Sequence, residues 1–493
     1  MSKLLKAGLL CLGIGALVWL VTLWQWQTAG RDVSGTEIVG QLFVLPVLLT
    51  AVLLLAVWGV GRLRLDAGKP VVVKALPATV GQPAVVQVDE RRLSVAVVQA
   101  AVRLSAGDSP EQAWSQIQSG DVRPGLDPEL QDLDGAPVFT ARLPELDVEG
   151  LRRSLPSDVG DRVVRALALL EAPADQLLER VLMLTDDWPV DPVSGPSPVA
   201  SDQPAHLSGM VAAAPPGMRP GAMPPRLTVR LALPSSWTEV EREHASAWLR
   251  MRCAVLASPA LQVHALDQAD GLWAVLDQQT LQWAREGSAQ WCLVLVADSA
   301  IDEHEIERRQ AVGELFTGAH QTGRIPGEAA AGLLLVTGQW PGLAQQVPLP
   351  ARLFRPVRLR RDKSADASGR VGASVLQDAM GQALSVCAAS DNELLQVVAD
   401  ADHRASRTAE VFEALQELAP HLDPMLSVTR VGEACGDQGL AAALVSVALA
   451  TGLAQQDDAP GVTLAVLVQA THERVALALT PWTWTPSSAQ AKT

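Results

Sequence analysis

Between residues 93 and 480 the chain alternates amphipathic helical stretches with short runs that are apolar at nearly every position. "RLSVAVVQAAVRL", "QWCLVLVADS", "GLLLVTG" and "VTLAVLVQA" are of the second kind. A strand that is apolar on both sides must be covered on both sides, so such runs between helices predict α/β layers with sheets buried on both faces. Capped helices separate them. In "SPEQAWSQIQSG", Ser109 is the cap, Pro110 sits in the first turn and Gly120 is the stop. "DVGDRVVRALALLEAPADQLLERVLML", "SWTEVEREHASAWLRMR" and "GLWAVLDQQTLQWAREG" follow the helical spacing, the last stopped by Gly287.

After the polar stretch "RRDKSADASGR" the grammar repeats. Helix "SVLQDAMGQALSVCAA", strand "ELLQVVADAD", helix "RTAEVFEALQELAPHL" and small-residue helix "DQGLAAALVSVALATGLA" lead to a closing pair of strands around "THER". Each half ends on a pair of buried strands, which hints at internal duplication. The expected organisation is a membrane anchor over 1–65, a first half over 66–345, a second half over 346–482, and a disordered tail over 483–493. Residues 185–225, rich in Pro, Gly and Ala, read as a linker or surface insertion.

The anchor rests on two apolar runs, residues 7–27 and 38–60, each long enough to cross a bilayer as a helix at about 20 residues per crossing. Lys3 and Lys6 precede the first, and Arg62 and Arg64 follow the second. The positive-inside tendency then places both ends, and the large domain, in the cytoplasm of a bacterial-type inner membrane. The five scattered cysteines, with no CxxC, fit a reducing compartment. A formal charge of −15, with no basic run in the soluble part, argues against nucleic acid as a partner.

The stretch "RIPGEAAAGLLLV", residues 324–336, sets a lone Glu328 among small residues just ahead of a buried run. Small residues let a turn or helix approach a sheet closely, and a buried carboxylate there needs backbone donors or a basic partner. The residues favour a turn-stabilising acid. A catalytic carboxylate, with a proton partner in reach, is the other reading.

That stretch resembles the small-residue PGEGAA-type motif at the end of the first half of β-ketoacyl synthases. "VLVADSAIDEHEIERRQAVGELF" is similar to the same family's strand, Asp-Ser turn and helix. "VQAAVRLSAGDSPEQAWSQIQSGDVRPG" resembles its first strand and helix, and "THERVALALTP" its last hairpin. The resemblance implies a thiolase-like, layered αβαβα body built from two related halves. It also implies a cysteine nucleophile at a helix N-terminus with two histidines, or His and Asn, near it. The segment at the nucleophile position, "LQVHALDQADGLWAVLDQ", offers His264, Asp267 and Gln268 but no cysteine. Cys253 falls upstream in a helix. At the position of the family's Gly-His-Thr turn the chain reads Cys435-Gly436-Asp437. Near the other histidine stand Asp400, Asp402 and His403 in "ADADHRASR". His264, Asp267, Glu328, Asp400, His403 and Cys435 are therefore the candidate remnants of a site.

No GxSxG elbow, Walker loop, GxGxxG or HExxH replaces the missing chemistry, and no cofactor or metal is expected. The strings "ADADHRASR" and "ACGDQG", with the two apolar runs, also resemble the membrane-anchored adapters of type VI secretion loci. That resemblance implies a protein partner: a lipase effector and spike or baseplate components. Ketosynthase-like proteins dimerise through a strand beside the nucleophile turn, so a homodimer is expected by analogy. The alternatives are an acyl-handling condensing or transfer enzyme using a displaced cysteine, and a general membrane assembly protein.

Overall fold

Strand β1, Ser94–Leu104, shows how the pattern becomes a layered structure. Val95 and Val97 face one core while Ala96 and Val98 face another. A bulge between Val97 and Gln99 then shifts the alternation, so that Ala100, Val102 and Leu104 return to the first core. The strand can thus be apolar almost throughout, because both of its faces are covered. The computed structural model describes residues 90–143, 145–186, 226–256, 259–346, 348–456 and 461–485. The two expected membrane runs and nearly all of the Pro-rich 185–225 stretch lie outside these residues. Among the described residues no helix is long and apolar enough to cross a membrane.

The strands of the main sheet are β1, β4 (Arg226–Pro234), β5 (Ala260–Leu266), β6 (Gln290–Ser299), β7 (Glu328–Thr337), β8 (Ala351–Phe354), β9 (Val357–Arg360), β10 (Leu394–Ala399), β11 (Val428–Arg430), β12 (Val462–Leu467) and β13 (Glu473–Pro481). They are ordered β11-β10-β12-β13-β8-β1-β7-β6-β4-β5, with β9 paired to β13. A separate hairpin joins β2 (Gly125–Gln131) to β3 (Pro137–Thr140).

The order from the centre outwards is the same in both directions. On one side run β1, β7, β6, β4 and β5; on the other β8, β13, β12, β10 and β11. Counted along the chain within each set, and leaving β9 aside, both read first, fifth, fourth, second, third. In both, the fifth strand is antiparallel to its neighbours and the outer three are parallel. The mixed sheet is that of a thiolase-like α/β fold.

Among the described residues eight helices of nine residues or more pack around the sheet: α1 (Pro110–Ser119), α2 (Asp161–Asp186), α3 (Glu239–Arg252), α4 (Ala269–Glu286), α5 (Glu303–Ala311), α6 (Ser374–Cys387), α7 (Ala405–Leu418) and α8 (Ala442–Ala454). Helix α1 carries the cap expected from the sequence: Ser109 accepts from the Gln112 N–H, and Gly120 closes it in the left-handed conformation. Helices α2 and α3 form one core with the outer faces of β1, β4, β6 and β7. Gly332 of β7 faces this core, and a Cβ on it would meet Leu177 of α2 at 2.4 Å. Helices α6 and α7 cover β10, β12 and β13 on the other side. Between the two parts of the sheet lie α4 and α8. Every residue of α8 except Leu453 is buried, as a helix apolar all round requires. Trp273 of α4 donates its indole N–H to the Ala443 carbonyl of α8 and ties the central layer together.

At the C-terminus Trp482 packs under the guanidinium of Arg352, and Trp484 is buried. The placed chain therefore extends past residue 483, where a disordered tail was expected to begin.

Candidate functional site

Two of the six residues implied by the sequence, Asp267 and Asp400, meet in a cleft at one end of the central layer. Strand β5 leads through Leu266 and Asp267 into α4, whose helical residues begin at Ala269. Gln268 occupies the N-cap with an extended backbone and makes no side-chain cap bond. The resemblance to β-ketoacyl synthases implies a thiol at this turn; the chain has none there. The turn opens into the cleft, of about 590 Å³. Asp267, Gln268 and Asp270 line one wall, Asp400 and Gln469 another, and Asp437 and Leu440 a third.

Ion pairs fill much of the remaining wall. Asp437 accepts from Arg309 Nη1 at 3.0 Å, from Arg324 Nη1 at 3.4 Å and from the Gly439 N–H. Burial alone would raise its carboxyl, but the two guanidiniums hold it well below the usual carboxylate range. Glu305 takes both Arg308 and Arg309 from within α5; burial opposes its charge, and the two arginines bring it down to about 2. At the end of β6, Asp298 accepts from Arg162 Nη2 at 2.9 Å and from the Leu440 N–H at 3.0 Å. Its burial outweighs Arg162, so its carboxyl is pushed up. Gly439 has φ 55°, and a Cβ there would lie 2.1 Å from Asp298 Oδ2, so this turn admits only glycine. The cleft wall is a lattice of mutually satisfied charges that joins segments distant in sequence.

The six candidates are placed as follows. Asp267 lines the cleft and accepts from the Ser235 hydroxyl. Asp400 lines it too, buried, accepting from the Val468 N–H at 2.6 Å and the Gln469 N–H at 3.4 Å. Burial pushes its carboxyl up to about 7. His403 lies outside the cleft lining, with Nε2 3.3 Å from the Gln321 carbonyl and its ring edge-on to Phe316. His264 also stands apart, on β5, with Nε2 2.8 Å from Arg230 Nη1; burial, and then that guanidinium, lower its affinity for a proton.

Cys435 is fully buried at the end of the helical turn Val431–Cys435, and burial pushes its thiol up to about 11. Cys253 is buried in the outer layer beneath α3, and its thiol is likewise raised to about 11. Neither lines the cleft. Glu328 is the first residue of β7 and fully buried. It accepts from Arg165 Nη2 at 2.6 Å, the Leu143 N–H at 2.7 Å and the Ser299 hydroxyl at 2.9 Å. Its oxygens are thus occupied by a basic partner and backbone and hydroxyl donors. Among the described residues no group of His, Cys, Asp and Glu could hold a metal ion.

Arg162, Asp298, Glu305, Arg309 and Arg324 are absent from the six candidates. The Glu305–Arg308 and Glu305–Arg309 pairs have helical i,i+3 and i,i+4 spacing and were readable. Their partners across the cleft, 128 positions away in the case of Arg309 and Asp437, leave no local trace.

The sheet order and the central helices are those of the thiolase-like α/β fold. Among solved structures, the ishigamide ketosynthase/chain length factor matches 79% of this chain and 99% of its own, with TM-score 0.53 and 17% identity. A ketosynthase of a type II polyketide system, solved with its acyl-carrier protein and bound to the hexaketide, matches 79% of this chain and 100% of its own, with TM-score 0.52 and 12% identity. Residues 351–481 match the family described as type VI lipase adapter protein Tla3, C-terminal, and the chain resembles that adapter family. No curated protein matches the chain.

Proposed function

We propose that this chain is a non-catalytic, ketosynthase-like adapter that recruits a lipase effector to a type VI secretion apparatus. The observation that carries the reading is the N-terminus of α4. Gln268 and Ala269 stand where the resemblance would place a nucleophile, and the cleft they border is walled largely by ion-paired side chains, with His304 the single histidine in its lining. Without a nucleophile the covalent step of a condensing enzyme is removed outright. The match of residues 351–481 to the adapter family supplies the partner class. The runs at 7–27 and 38–60 support a second part of the proposal: anchorage in the inner membrane with the large domain in the cytoplasm.

The test is co-purification of the full chain from membranes with a lipase effector, compared between wild type and the variants Cys435→Ala and His403→Ala. The reading expects one lipase to be retained in all three. A covalent acyl adduct on Cys435 or Cys253 after incubation with an acyl thioester would overturn it in favour of an acyl-handling enzyme. Failure to retain a lipase, together with dispersal of a larger complex on deleting residues 1–65, would leave a general membrane assembly protein.

A further inference from the structure

Helix α3 buries one face and leaves the other without a partner among the described residues. Ala245, Ser246, Trp248 and Leu249 point into the outer core. On the opposite side Val240 is 51% and Met251 71% exposed, with His244 half-buried and Ala247 exposed between them. The spacing of these four, 4-3-4, is that of the a and d positions of a coiled-coil seam. Val255, 64% exposed, continues the apolar surface beyond the helix end. Taking Val240 and Ala247 as d and His244 and Met251 as a, the flanking g positions are Glu243 and Arg250. Both are exposed.

We propose that this face of α3 pairs antiparallel with the same helix of a second copy of the chain. A two-fold axis crossing the helix between positions 245 and 246 sets Val240 against Met251 of the second copy and His244 against its Ala247. The same operation brings Glu243 beside Arg250 of the second copy, and Arg250 beside its Glu243. The seam is therefore self-complementary in charge as well as in apolar contact, as an isologous interface requires. A parallel pairing, in which g faces the e position of the next heptad, would set Glu243 against Trp248 of the second copy and form no Glu243–Arg250 pair. A helix of 14 residues spans about 21 Å, so one such pair buries less than the roughly 800 Å² per partner of a standard interface. The dimer is accordingly weak and concentration-dependent. The inference is independent of the adapter reading.

Sedimentation of the full chain in density-matched detergent tests it. The wild type should dimerise with rising concentration. Glu243→Arg alone and Arg250→Glu alone should each weaken the dimer by about tenfold or more, since each sets like charges against each other twice. Mixing these two variants should restore a heterodimer, because their charges then complement across the axis, and the double variant E243R/R250E should regain the homodimer. Both substitutions are at exposed positions, and unchanged circular dichroism and melting temperature would confirm an intact fold. A monomeric wild type at all concentrations overturns the proposal. So does a dimer indifferent to both reversals. Slow maleimide labelling of Ala247→Cys in a monomeric chain would instead place a segment of the same chain over this face.

Discussion

The Cα of Gly327 sits so close to the carbonyl oxygen of Cys435 that a Cβ would lie 2.3 Å from it. The contact is locked from both sides. Gly327 donates its N–H to the Asp437 carbonyl, and the Asp437 N–H donates to the Ile325 carbonyl. The "PGEAAA" and "ACGDQG" strings, each singled out in the sequence, are thus neighbours that join the two parts of the sheet. Gly327→Ala must displace backbone, not a flexible side chain. A destabilisation of about 1–3 kcal/mol is expected, as for overpacking in a filled core. Thermal or urea unfolding would show it against Gly318→Ala, where nothing lies within 4 Å of the added methyl and a change within about 0.5 kcal/mol is expected.

Glu328→Gln should be far more damaging than its near-identical shape suggests. The substitution leaves the Arg165 guanidinium, whose side chain is 11% exposed, facing a neutral amide. Removing one partner of a buried pair costs about 3–5 kcal/mol, because the other charge stays behind. The paired substitution E328Q/R165M should recover much of this. A double-mutant cycle by urea unfolding measures the coupling; additive losses would show that Glu328 is held by its other donors and not by Arg165.

Much of the architecture was legible because it is written locally. The cap at Ser109, the stop at Gly287 and the closing hairpin all depend on residues within one turn or one strand. The strands that went unread are those whose burial depends on distant segments. The β5 run "ALQVHAL" forms a sheet edge and mixes polar with apolar side chains. The β8–β9 stretch "ARLFRPVRLR" is broken by arginines, and pairing with β13 and β1 makes it a strand. The site was legible only by subtraction. The absence of a cysteine from "HALDQADG" is visible, but the charge lattice of the cleft wall is assembled from α2, α5, β6 and the turn after Cys435.

Asp400 should give stability a distinctive pH dependence. Its carboxyl is raised to about 7 by burial, which outweighs the Val468 and Gln469 N–H groups and the charge of Arg474, while Asp402 adds to the rise. A carboxyl that holds its proton more tightly folded than unfolded contributes stability that is complete below the unfolded value of about 4. That contribution is lost as pH rises through about 7. Asp400→Asn removes the ionisation. The difference in melting temperature, variant minus wild type, should therefore grow between pH 5 and 7.5 and level off above. A difference that stays flat across this range would mean that Asp400 ionises like an exposed aspartate.

The buried thiol of Cys435 separates a lost nucleophile from a relocated one. With its ionisation at about 11, only about one thiol in a thousand is thiolate at pH 8, and none of the sulfur is exposed to a reagent. Iodoacetamide at pH 8 should leave Cys435 unmodified in the folded chain and label it fully in urea, as read by peptide mass spectrometry. Ala269→Cys should behave in the opposite way. It places a thiol in the first turn of the 18-residue helix α4, at the wall of the cleft, where the helix dipole favours the thiolate. Its alkylation in the folded chain should exceed that of Cys435 by at least about a hundredfold, and its rate should reach half-maximum below the ordinary cysteine value of about 8.5. If Cys435 were instead the faster of the two, the reactive position would have moved to the turn before α8, and the non-catalytic reading would fall.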